Sequence, residues 1–124
     1  MNRAMLIKSF IRLGIRLVPN ELPAYRFFSV GGHFLIRPPK NFQIDATRVD
    51  DIPVLWVNHR TDCSSRVILY LHGGGYAIGS NRTHLELAAR IARAAKSQML
   101  MVEYRLAPEH PYPAGLNDAL KVYE

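Results

Sequence analysis

A single cysteine, Cys63, in a chain of 124 residues rules out an internal disulfide and a CxxC redox or metal site. It lies in the polar stretch NHRTDCSSR, four residues after His59. That spacing raises a Cys/His nucleophile as an option, but nothing in such a linker activates a thiol, so a plain surface cysteine is the preferred reading. Acidic residues are missing altogether from residues 1–20, which carry Arg3, Lys8, Arg12 and Arg16. Four of the six net positive charges therefore sit in that segment, and the remaining body is nearly neutral, which excludes an extended nucleic-acid surface. Also missing is any apolar run near the roughly 18 residues of a membrane span, and no small-residue cleavage site follows the first segment. No transmembrane segment and no secretory signal are expected, and the chain is read as cytoplasmic. With 48% hydrophobic and 21% charged residues it has the composition of one globular domain.

Within residues 3–18, Lys8, Arg12 and Arg16 recur at i, i+4, i+8, with Leu6, Phe10, Leu13 and Leu17 on the opposite side. This pattern predicts an amphipathic helix. Packing over a core or pocket is the preferred role; peripheral contact with a membrane surface and a transit peptide stay open. Pro19 ends the helix, and the glycines and prolines up to Lys40 mark loop and hinge, with His33 read as solvated or packed. The expected organisation is a cap helix and hinge over 1–40, followed by an incomplete α/β domain over 41–124.

From Phe42 the period changes to two. Phe42, Ile44 and Ala46 alternate, Asp50 and Asp51 make a turn, and Ile52, Val54 and Trp56 alternate with Pro53, Leu55 and Val57, which predicts a β-hairpin. RVILYLH (66–72) and QMLMVEY (98–104) are continuous apolar strands. The helix between them is expected to start with a Thr83/Glu86 capping box and to bury Leu85, Ala88, Ile91, Ala92 and Ala95. Two such strands joined by a helical crossover imply parallel pairing with both sheet faces covered. Pro113 is expected as the first residue of a last helix on which Leu116, Ala119, Leu120 and Tyr123 share one face. The strand VILYLH keeps an unpaired edge unless another strand joins it, so self-association is expected.

Between strand and helix stands LHGGGYAIGSN (71–81), a loop suited to presenting N–H groups to an anion. A P-loop needs Lys and Ser/Thr where Ser80 and Asn81 stand, so a β/γ-phosphate has no cation here. A dinucleotide fingerprint is approached by Gly73, Gly75 and Gly79, with Glu103 placed as a ribose-binding acid, but the last spacing is one residue too long. The third option is the oxyanion of an acyl-transfer intermediate, met by glycine N–H groups.

LHGGGYAIGS followed by VEYRLAPEHPYPA resembles the hormone-sensitive-lipase group of α/β-hydrolase-fold carboxylesterases and lipases, which place an HGGG oxyanion motif after the third strand and a YRLAPEHPYPA loop after the fourth. The resemblance covers roughly residues 42–124 and implies an α/β-hydrolase fold, a small-molecule acyl ester substrate and no cofactor or metal. It further implies that Gly74 and Gly75 donate to the oxyanion, Gly73 shapes the turn, His72 braces the loop and is not the general base, and Tyr76 lines the pocket. Glu103 is expected to act structurally next to Arg105, while Arg105, Glu109 and His110 brace the proline-rich loop.

That group needs a G-x-S-x-G elbow, then an acid, then a histidine. None of Ser9, Ser29, Ser64, Ser65, Ser80 and Ser97 lies in such a setting, and Ser80 is explained by helix capping. The catalytic triad is therefore absent from this sequence. The expectation is an N-terminal fragment of a serine carboxylester hydrolase, inactive alone, with a non-catalytic anion- or dinucleotide-binding α/β module as the alternative.

Overall fold

The computed structural model describes Arg26, residues 40–61 and residues 65–124. The helix expected over 3–18, His33 and Cys63 lie outside these residues, as does all of the expected 1–40 unit except Arg26 and Lys40. The described elements are β1 (Phe42–Val49), β2 (Ile52–His59), β3 (Val67–Leu71), α1 (Asn81–Ala95), β4 (Gln98–Val102) and α2 (Ala114–Tyr123).

Four strands form one mixed sheet in the order β1-β2-β4-β3. The hairpin forms as its period-two pattern predicts, with Val49 opposite Ile52 across the turn at Asp50 and Asp51. Asp50 takes a φ of +53°, a left-handed conformation that Asp tolerates better than most residues. Pro53 has no N–H to give to a neighbouring strand, and pairing between β2 and β4 begins one residue later, at Val54 opposite Val102. Its carbonyl still accepts the N–H of Glu103 at 3.0 Å.

The crossover is as expected: β3 and β4 pair in parallel, with α1 between them in sequence. The two helices supply the covering layers. Val57, Met99 and Met101 pack with Ala88, Ala89 and Ala92 of α1, whereas Ile52, Val102 and Tyr104 pack on the other side with Val122 of α2. Full cover holds for β4 but not for β3, whose end residues Val67 and Leu71 are 49% and 48% exposed. Among the described residues, β3 is the edge of the sheet.

Both helices are rotated from the faces that their apolar spacing suggests. On α1 the buried residues are Ala88, Ala89 and Ala92, and Ile91 is exposed. The N-terminal anchor accounts for this. Buried Asn81 donates its Nδ2–H to the carbonyl of Met101 at 3.1 Å, and its backbone N–H to Glu103 Oε2 at 2.7 Å, which sets the roll of the helix. Three alanines in succession along that face then let the helix axis approach the methionines of β4. The cap itself lies earlier than the expected Thr83/Glu86 box. Ser80 is the N-cap, its hydroxyl accepting the Thr83 N–H at 3.3 Å while Thr83 Oγ1 accepts the Ser80 N–H at 3.0 Å. Glu86 pairs instead with Arg90 one turn on, at 2.6 Å.

On α2, Pro113 is the N-cap rather than the first helical residue, and the buried residues are Gly115, Asp118 and Ala119. Leu116, Leu120 and Tyr123 are 44%, 48% and 77% exposed. The buried carboxylate of Asp118 and the close approach at Gly115 turn this helix, both described below.

The rotation of α1 gives a direct test. Ala92→Leu is expected to lower stability by about 1–3 kcal/mol through overpacking against β4. Ile91→Ala is expected to stay within about 0.5 kcal/mol. Urea midpoints of the two variants measure the difference, and the reverse order contradicts the burial described here.

Candidate functional site

Immediately after β3 the chain leaves the sheet at His72, and residues 72–80 form a loop before α1. Two positions in it require glycine. Gly74 has φ +134°, and a Cβ there would lie 2.0 Å from the carbonyl oxygen of Ile78. Gly79 has φ +94°, and a Cβ there would lie 2.4 Å from the carbonyl oxygen of Gly73 and 2.8 Å from His72 Nδ1.

The carbonyls of this loop are held, and that orients its N–H groups. The oxygen of Gly74 accepts the N–H groups of Ala77 and Ile78 at 3.2 and 3.0 Å. His72 Nδ1 lies 3.0 Å from the oxygen of Gly73. A carbonyl can only accept, so Nδ1 carries the hydrogen and donates it. In a trans peptide the C=O and the following N–H point in opposite directions. With the Gly73 and Gly74 carbonyls turned into the loop, the N–H groups of Gly74 and Gly75 therefore face outward. Neither donates to any other described residue. Adjacent amide donors arranged in this way fit a single anionic oxygen.

His72 is 3% exposed and fixes the base of the loop. Its ring stacks on Tyr104 with centroids 4.4 Å apart and planes at 15°, and the Tyr104 hydroxyl donates to the His72 carbonyl at 2.5 Å. Burial above all, then Tyr76 and Glu103, raises the Tyr104 phenol above its ordinary pKa, so it remains a donor at neutral pH. The His72 Nε2 atom is buried with no hydrogen-bond partner among the described residues.

A cavity of about 250 Å³ opens against this loop. Gly73, Gly74, Gly75 and Tyr76 form one side, and Leu116 and Ala119 of α2 form another. Tyr76, 67% exposed, also borders a second hollow of about 280 Å³ shared with Arg105, His110 and Tyr112. The expected loop and pocket residues His72, Gly73, Gly74, Gly75 and Tyr76 are thus gathered at one cavity.

Arg105 and Glu109 stand apart from that cavity and act on the neighbouring loop. The Arg105 guanidinium grips the buried Asp118 carboxylate, with Nη2 2.7 Å from Oδ1 and Nε 2.9 Å from Oδ2, and the Arg105 backbone N–H adds a bond of 2.9 Å. Glu109 pairs with Arg26, whose Nη2 also reaches the carbonyl of Ala107 at 2.6 Å. His110 gives its backbone N–H to the carbonyl of Leu106 at 3.0 Å. Glu103 makes a structural contact, with α1 and not with Arg105. It holds the first amide of α1, so it is not presented to a ribose, and its charge occupies the helix N-terminus that a phosphate would seek.

Arg26, Tyr104, Asn81 and Asp118 escape the reading of the sequence. For Asp118 a signal existed, since it shares a helical face with Gly115 and Ala119 and so breaks the apolar pattern at a position that must be buried. Arg26 gave no signal of its own.

Comparison with known proteins places these observations. A sequence family described as the alpha/beta hydrolase fold matches residues 68–124. An acetyl-hydrolase of Streptomyces hygroscopicus is 38% identical over 79 residues, covering 64% of this chain and 26% of that protein. Carboxylesterase NlhH of Mycobacterium tuberculosis is 49% identical over 53 residues, or 43% of this chain and 17% of that protein. Among solved structures, an esterase from the bacterial hormone-sensitive lipase family superposes with a TM-score of 0.79 at 35% identity, covering 87% of this chain and 37% of its own. The chain thus spans less than half the length of these relatives.

The Arg105–Asp118 contact predicts an acid limb in stability. Hydrogen bonding from Arg105, more than any other influence, holds the Asp118 carboxyl below its usual range. Its contribution is then full above the unfolded carboxylate value of about 3.9 and is lost as pH falls through the lowered folded value. Asp118→Asn is expected to be less stable than the parent at pH 7 and to lose less stability between pH 5 and pH 2, read from denaturant midpoints across that range. Parallel acid limbs in parent and variant contradict the assignment.

Proposed function

This chain belongs to the α/β-hydrolase fold, in the group of the bacterial hormone-sensitive-lipase esterases, and from that premise we propose that it carries the oxyanion-hole segment of a carboxylester hydrolase. The single observation that supports this most is the pair of outward N–H groups at Gly74 and Gly75, which donate to no other described residue, above a cavity of about 250 Å³.

In the proposed reaction a nucleophile oxygen attacks the ester carbonyl carbon, and the π electrons of the C=O bond move to its oxygen. The N–H groups of Gly74 and Gly75 meet that negative oxygen, and because they are already oriented they reorganise little as charge develops. Collapse of the intermediate restores the carbonyl and expels the alcohol oxygen, which leaves as alcohol with the proton that the base took from the attacking hydroxyl, and the acyl group stays on the nucleophile. None of the six serines of this sequence stands in a G-x-S-x-G elbow, so the nucleophile, its acid and its base come from outside these residues. His72 does not serve as the base: its Nδ1–H is committed to Gly73 and its Nε2 is buried. The substrate is an acyl ester small enough for the space between the loop and α2, with Tyr76 on its rim. Residues 41–124 form the hydrolase portion of this arrangement.

A chimera tests the reading. In an esterase of the bacterial hormone-sensitive lipase family, the segment corresponding to residues 68–124 is replaced by that of this chain, and hydrolysis of p-nitrophenyl acetate is measured. The chimera is expected to turn over. Gly74→Ala, which forces the loop open at the Ile78 carbonyl, is expected to lower kcat by about 10²-fold or more. Gly75→Ala places its Cβ where no atom lies within 4 Å but must hold a left-handed φ of +60°, a strain of about 1–2 kcal/mol, and with its methyl crowding the anion its kcat should fall as well. A folded Gly74→Ala chimera with undiminished kcat rejects the oxyanion role.

The exposed edge of β3 carries a second expectation, that the isolated chain self-associates through edge pairing. Sedimentation velocity should show mass rising with concentration, and Val67→Lys with Leu71→Lys should return the chain toward monomer. A monodisperse monomer at all concentrations contradicts this.

A further inference from the structure

Arg26 lies more than forty residues before the glycine loop in sequence, yet its Nε–H donates to the carbonyl of Ala77 at 2.9 Å. That carbonyl belongs to the peptide whose N–H is Ile78, and the Ile78 N–H donates in turn to the carbonyl of Gly74 at 3.0 Å. The next N–H in that second peptide is Gly75. Because each trans peptide turns its N–H opposite to its C=O, the two bonds run head to tail. The guanidinium stands at one end of this relay and the Gly75 N–H, bonded to no other described residue, at the other.

We propose that Arg26 is a positioning residue for the oxyanion loop, acting on the Gly75 N–H through two successive peptide units. This rests on the esterase reading above for its consequence in catalysis, but not for its geometry. A cation bound to the Ala77 carbonyl draws electron density along the peptide and strengthens the Ile78 N–H as a donor. The same polarisation passes through the Gly74 carbonyl to the Gly75 N–H, since hydrogen-bonded peptides in series reinforce one another by roughly 10–30% per bond. Besides this polarisation, the bond to Ala77 keeps the turn closed, and the closed turn keeps the Gly75 N–H outward.

The guanidinium is itself held in place from the other side. Glu109 takes it in a two-point contact, with Nη1 2.5 Å from Oε1 and Nη2 2.9 Å from Oε2. The Arg26 contact in turn holds the Glu109 carboxyl below its usual range, so Glu109 stays a carboxylate acceptor at neutral pH. The carbonyl of Ala107 accepts from the same Nη2, and the Ala107 N–H donates to the carbonyl of Tyr76 at 2.8 Å. The proline-rich loop thereby braces Arg26 against the glycine loop. A lysine in this place offers no planar fork to match three carbonyl and carboxylate partners at once.

Residue-resolved hydrogen exchange on the 124-residue chain tests the relay without any enzymatic assay. In Arg26→Ala, protection at the Ala77 and Ile78 amides is expected to fall by about tenfold or more, while Ala88–Ala92 and Met99–Val102 keep theirs. Glu109→Gln should shift the same two amides in the same direction by less. Unchanged protection at Ile78, or an equal loss everywhere, overturns the relay. The catalytic consequence is read in the chimera described above, extended to begin at residue 26 of this chain. There Arg26→Ala is expected to lower kcat about tenfold with KM within twofold, Arg26→Lys should not restore it, and added guanidinium ion should restore part of it. A kcat equal to the parent's, or a loss confined to KM, overturns the positioning role. A chimera that is inactive with Arg26 intact, while the exchange pattern holds, counts against the esterase reading and leaves the relay standing.

Discussion

A trans peptide couples two directions, and the glycine loop depends on that coupling more than on any single bond. Wherever a carbonyl is captured, the N–H beyond it must face the opposite way. His72 captures the Gly73 carbonyl, and the turn at Ala77 and Ile78 captures that of Gly74. Both captures are internal to the loop, so the outward donors exist before any ligand arrives. In the oxyanion role proposed above nothing would have to rotate as charge appears, which is the condition under which dipoles stabilise an intermediate most effectively.

The rest of the described chain can be understood as support for those captures. β4 is buried on both faces, and the chain beyond it delivers Tyr104 beneath the loop, where its hydroxyl holds the His72 carbonyl and its ring holds the His72 ring. Glu103, one residue earlier, points the other way along the chain's alternation and anchors the start of α1. Arg105, one residue later, grips Asp118 and seats α2. Three consecutive residues therefore tie the sheet to the loop's foot, to the first helix and to the last one.

Much of this was legible beforehand, and the parts that were not share a cause. The hairpin, the parallel crossover and the glycine loop follow from spacing alone, because period two and apolar runs restrict the backbone locally, and clustered Cβ-free residues mark where it takes conformations other residues avoid. The roll of the helices did not follow. For α1, a polar anchor at Asn81 overrides the wider apolar stripe that includes Ile91. For α2, Asp118 and Gly115 face inward while Leu120 and Tyr123 face out, an arrangement that depends on Arg105 from another part of the chain. Arg105 and Glu109 were singled out in the sequence, but the partners they hold, Asp118 and Arg26, were not. Arg26 lies 83 residues from Glu109, and no periodicity relates positions so far apart.

One contact sets a limit on how this site can change. Gly115 sits so near Tyr104 that a Cβ there would lie 3.1 Å from the ring and 2.9 Å from the Arg105 carbonyl. The same ring that supports the loop from below is therefore the surface on which α2 rests. Rim and floor of the hollow are ganged to one aromatic plate, and neither wall slides without dragging the other. Room for a bulkier guest comes more readily from trimming side chains at Leu116 or Ala119 than from shifting the backbone, so the aperture can be retuned while the donors stay fixed.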